Sequence, residues 1–249
     1  EGGISVLPFD PETGVIGEVT AKPNHIGTGP DPLRQSMPHP HGIHGDPQTD
    51  LVYATDLGTD KVHQYLLDLK TGALAPHSEV KLVSGSGPRG MKFHPSLRMA
   101  YVNCELNGTV AVCAVDDDKG LVPVQTMNCY PEGFVARNHP ENLGKSEFWG
   151  AEGCLSPNGL YYYYLCRVHQ SIAVFNIGLD GKLTFMSRCM LADNSNARNL
   201  TIDSSGNYIL VASQDANCVE CFGIDPETGA LEFVHTQNAP CAADVAIVK

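Results

Sequence analysis

The side chains in this chain best suited to chemistry are a histidine, three arginines and a few carboxylates, set at related places along a repeating sequence. His41 stands in Pro38-His39-Pro40-His41-Gly42, and Arg89 in Gly85-Ser86-Gly87-Pro88-Arg89-Gly90-Met91, 48 residues further on. Glu152 in Trp149-Gly150-Ala151-Glu152 and Arg198 in Asn196-Ala197-Arg198-Asn199 open two later segments in the same way. A second series comprises Asp56, Glu105, Arg167 and Gln214, each where an apolar run gives way to a turn. An imidazole titrates near neutral pH and suits proton transfer. Guanidinium forks suit phosphate or carboxylate. These types point to acid–base chemistry on a small anionic molecule.

Taken singly, each residue has a plainer reading. His41 reads as a turn histidine, Arg89 and Arg167 as partners in salt bridges, and Glu105 as a solvated turn carboxylate. Their joint occurrence at matched phases favours the functional reading. His39, His41 and His44 do not have the spacing of a metal motif, so no metal and no other cofactor is expected.

The elements that must position these residues form a repeat. Four units each hold two β-rich runs about ten residues apart and close on an Asp-to-Gly-x-Leu turn. The closing turns are Asp68-Leu69-Lys70-Thr71-Gly72-Ala73-Leu74, Asp117-Asp118-Lys119-Gly120-Leu121, Leu179-Asp180-Gly181-Lys182-Leu183 and Asp225-Pro226-Glu227-Thr228-Gly229-Ala230-Leu231. A fifth turn, Asp10-Pro11-Glu12-Thr13-Gly14, belongs to an incomplete unit. The turn glycines are 58, 48, 61 and 48 residues apart; Gly/Pro/Asn/His-rich insertions at 23–38 and 131–149 account for the longer gaps. Runs such as Leu51-Val52-Tyr53-Ala54 and Tyr161-Tyr162-Tyr163-Tyr164 predict strands, and no window shows a helical period. A period of 45–50 residues with several strands predicts an all-β β-propeller of four-stranded antiparallel blades, about five of them represented over 1–249 as one domain. In such a ring, loops at one mouth of a central channel converge, which is how residues this far apart meet.

Composition narrows the partners. A chain of 249 residues with 42% hydrophobic content has enough apolar material for a sizeable core. A net charge of −12 argues against nucleic acid and requires local arginines for any anionic substrate. No apolar run has membrane-spanning length and no signal peptide is visible. Nine scattered cysteines, an odd number in no framework, predict a reducing compartment, hence the cytoplasm. Cys218 and Cys221 fall on opposite faces of a strand, which disfavours a shared metal. The sequons at Asn107 and Asn199 read as chance.

In these segments the chain resembles the seven-bladed propeller lactonase family, which includes propeller-type 6-phosphogluconolactonases and the carboxymuconate lactonising enzyme. The resemblance rests on Pro38-His39-Pro40-His41, Thr55-Asp56-Leu57-Gly58-Thr59-Asp60-Lys61-Val62, Gly87-Pro88-Arg89-Gly90-Met91-Lys92-Phe93-His94-Pro95, Glu105-Leu106-Asn107, Pro131-Glu132-Gly133-Phe134, Leu155-Ser156-Pro157-Asn158-Gly159 and Arg167-Val168-His169-Gln170-Ser171-Ile172. These run in order along almost the whole chain. The resemblance implies a catalytic set of His41, Arg89, Glu105 and Arg167. His39, Asp56, Glu152, His169, Arg198 and Gln214 are the expected substrate-binding residues. Cys104, Cys166 and Ala197 depart from the family pattern beside these positions. The unit count also predicts a chain about two blades short of seven, on the N-terminal side.

The implied activity is hydrolysis of a sugar-derived lactone, 6-phosphogluconolactone foremost, in the pentose phosphate pathway. His41 would be general base, one arginine would hold the anionic group and the other the developing oxyanion, and Glu105 would orient them or share the proton transfer. Cyclisation of 3-carboxymuconate uses a similar set of groups and is the alternative. A non-catalytic binding propeller is a third reading, although the single Trp and the lack of a Gly-His to Trp-Asp signature disfavour a WD-type scaffold.

Overall fold

A computed structural model of the chain describes residues 3–134 and 149–248. All regular structure among them is β. The second expected insertion, 131–149, lies largely outside the described residues. Blade 1 contains β1 (Pro40–Gly45), β2 (Leu51–Asp56), β3 (Lys61–Leu67) and β4 (Leu74–Lys81). Blade 2 contains β5 (Pro88–Phe93), β6 (Met99–Cys104), β7 (Thr109–Asp116) and β8 (Gly120–Asn128). Blade 3 contains β9 (Gly150–Leu155), β10 (Tyr161–Cys166), β11 (Ser171–Ile177) and β12 (Leu183–Met190). Blade 4 contains β13 (Ala197–Ile202), β14 (Tyr208–Ser213), β15 (Cys218–Ile224) and β16 (Leu231–Asn238). Each blade is a four-stranded antiparallel meander in sequence order. The first strands β1, β5, β9 and β13 pack against one another in succession and form the inner ring.

The four full units are the four blades. The incomplete fifth unit is not a sheet: it makes two isolated bridges, Val6 to Ala21 and Phe9 to Ile16. The stretch 242–248, largely apolar in sequence, forms no strand. It finds no partner edge among the described residues, and an extended segment without a ladder leaves its backbone groups to water. In blade 2 the turn aspartate is Asp116 rather than Asp117. Its Oδ1 accepts the N–H groups of Asp118 and Lys119, as Asp68 and Asp225 accept those two and three residues on. The offset of four residues to the glycine decides which carboxylate reaches the turn.

The core lies between blades. One apolar cluster joins blades 1 and 2, a second joins 2 and 3, and a third joins 3 and 4. The four consecutive tyrosines of β10 show why. Successive side chains of a strand point to opposite faces. Tyr162 and Tyr164 therefore bond back to blade 2, at Asn103 Oδ1 and the Cys104 carbonyl. Tyr161 and Tyr163 bond forward to blade 4, at the carbonyls of Glu227 and Gly229.

The repeated turn glycines lock the blades together. Gly72, Gly120, Gly181 and Gly229 all have φ near +70°, where glycine is favoured. A Cβ on Gly120 would meet Gln64 of blade 1, one on Gly181 would meet Met99 of blade 2, and one on Gly229 would fall 2.4 Å from the Tyr161 ring of blade 3. Gly14 has the same φ, but a Cβ there meets nothing within 4 Å. Gly14→Ala should therefore cost only the backbone penalty of about 1 kcal/mol. Gly229→Ala should cost a further ~1–3 kcal/mol for overpacking against Tyr161. Urea unfolding of the two variants measures the difference; equal losses would mean that the glycine does not serve the blade interface.

Candidate active site at the channel mouth

Each inner strand carries a β-bulge at the same place. The register skips His41 in β1, Arg89 in β5 and Arg198 in β13, and in β9 it slips across Ala151 and Glu152. A bulge re-aims the side chain it carries, and bulges concentrate beside active sites. One residue beyond the second strands come Leu57, Glu105, Arg167 and Gln214. The bulge residues and these turn residues line the same end of the inner ring.

Glu105 is the centre of the arrangement. Its side chain is 4% exposed and faces three guanidinium groups. Arg34 Nη2 donates to Oε1 at 3.0 Å, and Arg167 Nη2 and Arg89 Nε lie 3.1 and 3.3 Å from Oε2. Neither of the last two contacts is aligned as a hydrogen bond, which leaves those N–H groups free to turn to a substrate oxygen. Arg89 Nη1 donates to Glu152 Oε2 at 2.9 Å, and Lys92 Nζ lies 3.0 Å from Glu152 Oε1. Arg167 Nε donates to the Gly150 carbonyl, and its guanidinium lies 5.0 Å from the centre of the Trp149 ring. Trp149 and Arg167 also line a cavity of about 100 Å³ between blades 3 and 4.

The charges set the protonation states. Burial alone would raise the Glu105 pKa, but Arg167, Arg34 and Arg89 outweigh it and hold the carboxyl below its ordinary value. Burial acts on Glu152 in the same upward sense and is outweighed by Lys92 and Arg89. Both are carboxylates at neutral pH. His41 is exposed to the channel, yet protein atoms crowd its ring. That desolvation first, and the Arg89 charge second, lower its pKa to about 4 against the pull of Glu105. His41 is therefore a neutral imidazole at pH 7. The His39 ring lies 5.9 Å away.

The structure thus brings together His41, Arg89, Glu105, Arg167 and Glu152, with His39 alongside. Arg198 is half-buried, carries the bulge of blade 4 and acts on Arg167 electrostatically; it has no ion-pair partner among the described residues. Gln214 shares the phase of Glu105, and its side-chain amide bonds to nothing among the described residues. His169 turns elsewhere: Nδ1 meets Ser171 Oγ at 2.8 Å, and the ring stands edge-on to Phe134.

Asp56 is a correction. It is the last residue of β2, in phase with Cys104, Cys166 and Ser213, one position short of Glu105. Its carboxylate is fully buried: Oδ1 accepts the N–H groups of His39, Gly58 and Thr59, and Oδ2 faces His25 Nδ1 at 2.6 Å. It shapes the turn and the His39 segment and cannot touch substrate. The same phase rule puts Cys104 and Cys166 into the blade interfaces, so these departures from the family pattern face the core and not the channel.

Arg34 and Lys92 join the site without having been singled out in the sequence. Lys92 stands three residues after Arg89 in the same inner strand, a signal that was available. Arg34 was less accessible, because a loop fold delivers it. Gln35 donates to the Leu57 carbonyl and to Asp60 Oδ1, docking the 29–35 loop on blade 1 and holding Arg34 over Glu105.

The chain matches the family model "Lactonase, 7-bladed beta-propeller" over residues 1–247. It belongs to that lactonase family. It is 31% identical over 234 residues to a 6-phosphogluconolactonase of Pectobacterium atrosepticum, covering 92% of this chain and 63% of that protein. A 6-phosphogluconolactonase of Yersinia pseudotuberculosis is 29% identical over 205 residues, covering 80% of this chain and 58% of the relative. The chain thus spans less than two thirds of the length of these curated relatives. The solved periplasmic gluconolactonase of Pseudomonas aeruginosa superimposes with a TM-score of 0.87 at 25% identity, over 98% of this chain and 65% of that one. For this lactonase-family chain, the shared fold extends across all four blades.

If Glu105 holds the arginines in place, Glu105→Gln should destabilise the protein by about 3 kcal/mol, because it leaves buried guanidinium charge uncompensated. The pH dependence has a defined sign. The folded-state pKa lies below the unfolded value of about 4.3, so the stabilisation is complete above that pH and is lost as the pH falls through the folded value. Denaturant titrations at pH 7 and pH 3 should show the advantage of the wild type over Glu105→Gln shrinking at the lower pH.

Proposed function

We propose that this chain hydrolyses a sugar-derived lactone, 6-phosphogluconolactone foremost, to the open-chain acid. The observation that carries the reading is a surplus of cationic groups at one channel mouth. Among the described residues, Arg34, Arg89, Lys92, Arg167 and Arg198 outnumber Glu105, Glu152 and Asp215 there, in a protein whose net charge is −12. Such a field draws in an anion that the rest of the surface repels. Family membership and the names of the relatives support the same substrate class.

In this scheme His41, unprotonated at neutral pH, takes a proton from water as its oxygen adds to the lactone carbonyl. Arg89 and Arg167 stabilise the oxyanion that forms. The ring C–O bond then breaks, and the leaving alkoxide recovers the proton from His41. Glu105 stays ionised and fixes the two arginines. Arg198 holds the phosphate, with Gln214 and His39 at the rim. The partner is therefore a small anionic lactone. The cytoplasm is the compartment that suits nine free cysteines.

The test is initial-rate kinetics, corrected for spontaneous hydrolysis, on 6-phosphogluconolactone, unphosphorylated gluconolactone and 3-carboxymuconate. His41→Ala should lower kcat by about 10²–10⁴. Arg198→Ala should raise KM for the phosphorylated lactone roughly tenfold or more and leave the unphosphorylated one little changed. With a base of pKa about 4, kcat/KM should be flat from near pH 5 to pH 8 and fall as pH drops through about 4. Turnover of 3-carboxymuconate alone would replace this reading with the cyclising one.

A further inference from the structure

A second group of ligand-type side chains lies in blade 1, behind the segment that carries His39 and His41. His25 comes from the connection before β1, Asp56 ends β2, and His63 lies on β3. Asp56 Oδ2 is 2.6 Å from His25 Nδ1 and 4.0 Å from His63 Nε2. The two imidazoles stack at 3.7 Å, and one donor atom of each of the three residues lies within 4.8 Å of the others. None of the three belongs to the cluster around Glu105.

Four features distinguish this group from an ordinary histidine–aspartate pair. First, the far nitrogen of each imidazole faces a polar group: His25 Nε2 is hydrogen-bonded with the Tyr65 hydroxyl at 3.0 Å, and His63 Nδ1 lies 3.5 Å from Glu79 Oε2, a longer contact that is not a hydrogen bond. Metal-bound histidines use their outer nitrogen in this way, which fixes ring and tautomer. Second, three backbone N–H groups occupy Asp56 Oδ1, so Oδ2 alone is presented to the histidines. Third, His63 Nε2 is buried without a hydrogen-bond partner. An unsatisfied buried nitrogen is costly, and a cation would remove that cost. Fourth, an open groove lined by Asn24, His25, Lys61, His63, His77 and Glu79 reaches the group from solvent.

We propose that His25 Nδ1, Asp56 Oδ2 and His63 Nε2 form a binding site for a divalent transition cation, Zn²⁺ foremost. Two imidazoles and one carboxylate suit that ion, with water in the fourth tetrahedral position. A tetrahedral ion about 2.1 Å from its ligands sets them about 3.4 Å apart, between the present 2.6 and 4.0 Å. On binding, the His25 proton moves from Nδ1 to Nε2, toward the Tyr65 hydroxyl. Because Asp56 also accepts the His39 N–H, the ion would brace the His39–His41 segment from behind as a structural clamp. This site stands whether or not the lactonase reading does.

The test uses the full chain, stripped with a chelator and titrated with Co²⁺ and then Zn²⁺. The wild type should take up one equivalent of Co²⁺ with visible d–d absorption, which Zn²⁺ bleaches, and Zn²⁺ should raise its melting temperature by a few degrees. His25→Gln and His63→Gln should lose both signals. His235→Gln, at an exposed histidine on β16, should keep both. Melting curves in metal-free buffer report whether each variant is folded. Should His25→Gln release its loop and unfold, His63→Gln decides the matter, since its Nε2 makes no hydrogen bond to lose. No absorption with the wild type, or absorption that survives in folded His63→Gln, would overturn the proposal.

Discussion

A single buried carboxylate organises the channel mouth. Glu105 lies on a turn of blade 2 and meets Arg89 of its own blade, Arg167 of blade 3 and Arg34 of the segment before blade 1. Guanidinium groups this close repel one another, and burial raises the energy of every charge that is left unpaired. The carboxylate makes their convergence tolerable, and their charge in turn keeps it ionised. The same constraint separates the protonation states of His41 and Glu105. Desolvation first and the Arg89 charge second lower the His41 pKa, and the three arginines lower that of Glu105, but an imidazole with a low pKa is a free base at pH 7, whereas a carboxylate with a low pKa is a fixed charge.

The blades deliver these groups with little tolerance for error. β1, β5 and β13 place a bulge at their second residue and β9 slips across its second and third, and each second strand hands over to a turn residue at the next position. Between blades, tyrosine hydroxyls and turn glycines fix the spacing. The repeat in the sequence is therefore a repeat of interfaces as much as of hairpins. A glycine that serves a local turn also leaves room for the neighbouring blade, as Gly229 does for Tyr161.

Much of this was legible from spacing. His41 and Arg89 are 48 residues apart and occupy the same bulge in adjacent blades. Asp56 shows where spacing misleads: a shift of one residue along a strand moves a side chain to the other face, and its polar character hid the shift. The residue that truly matches Glu105 in blade 1 is Leu57, buried and silent as a functional signal. The His25 cluster was equally hidden, because its members come from a connection and two strands of different phase.

The sequence by itself determined the four full repeat units, the all-β architecture and the residue types at the channel mouth, because a fixed period and alternating apolar runs are local properties of the chain; that the incomplete fifth unit forms no sheet was decided by the tertiary structure. Only the tertiary structure decided that Arg34 reaches Glu105, that Arg198 lacks a carboxylate partner among the described residues, and that Asp56 faces inward. Those outcomes depend on how loops dock and which face a residue takes, and they follow from packing between segments far apart in the chain. Charge at a given position was readable in advance; whether that charge is paired was not, because pairing is a property of two distant segments at once.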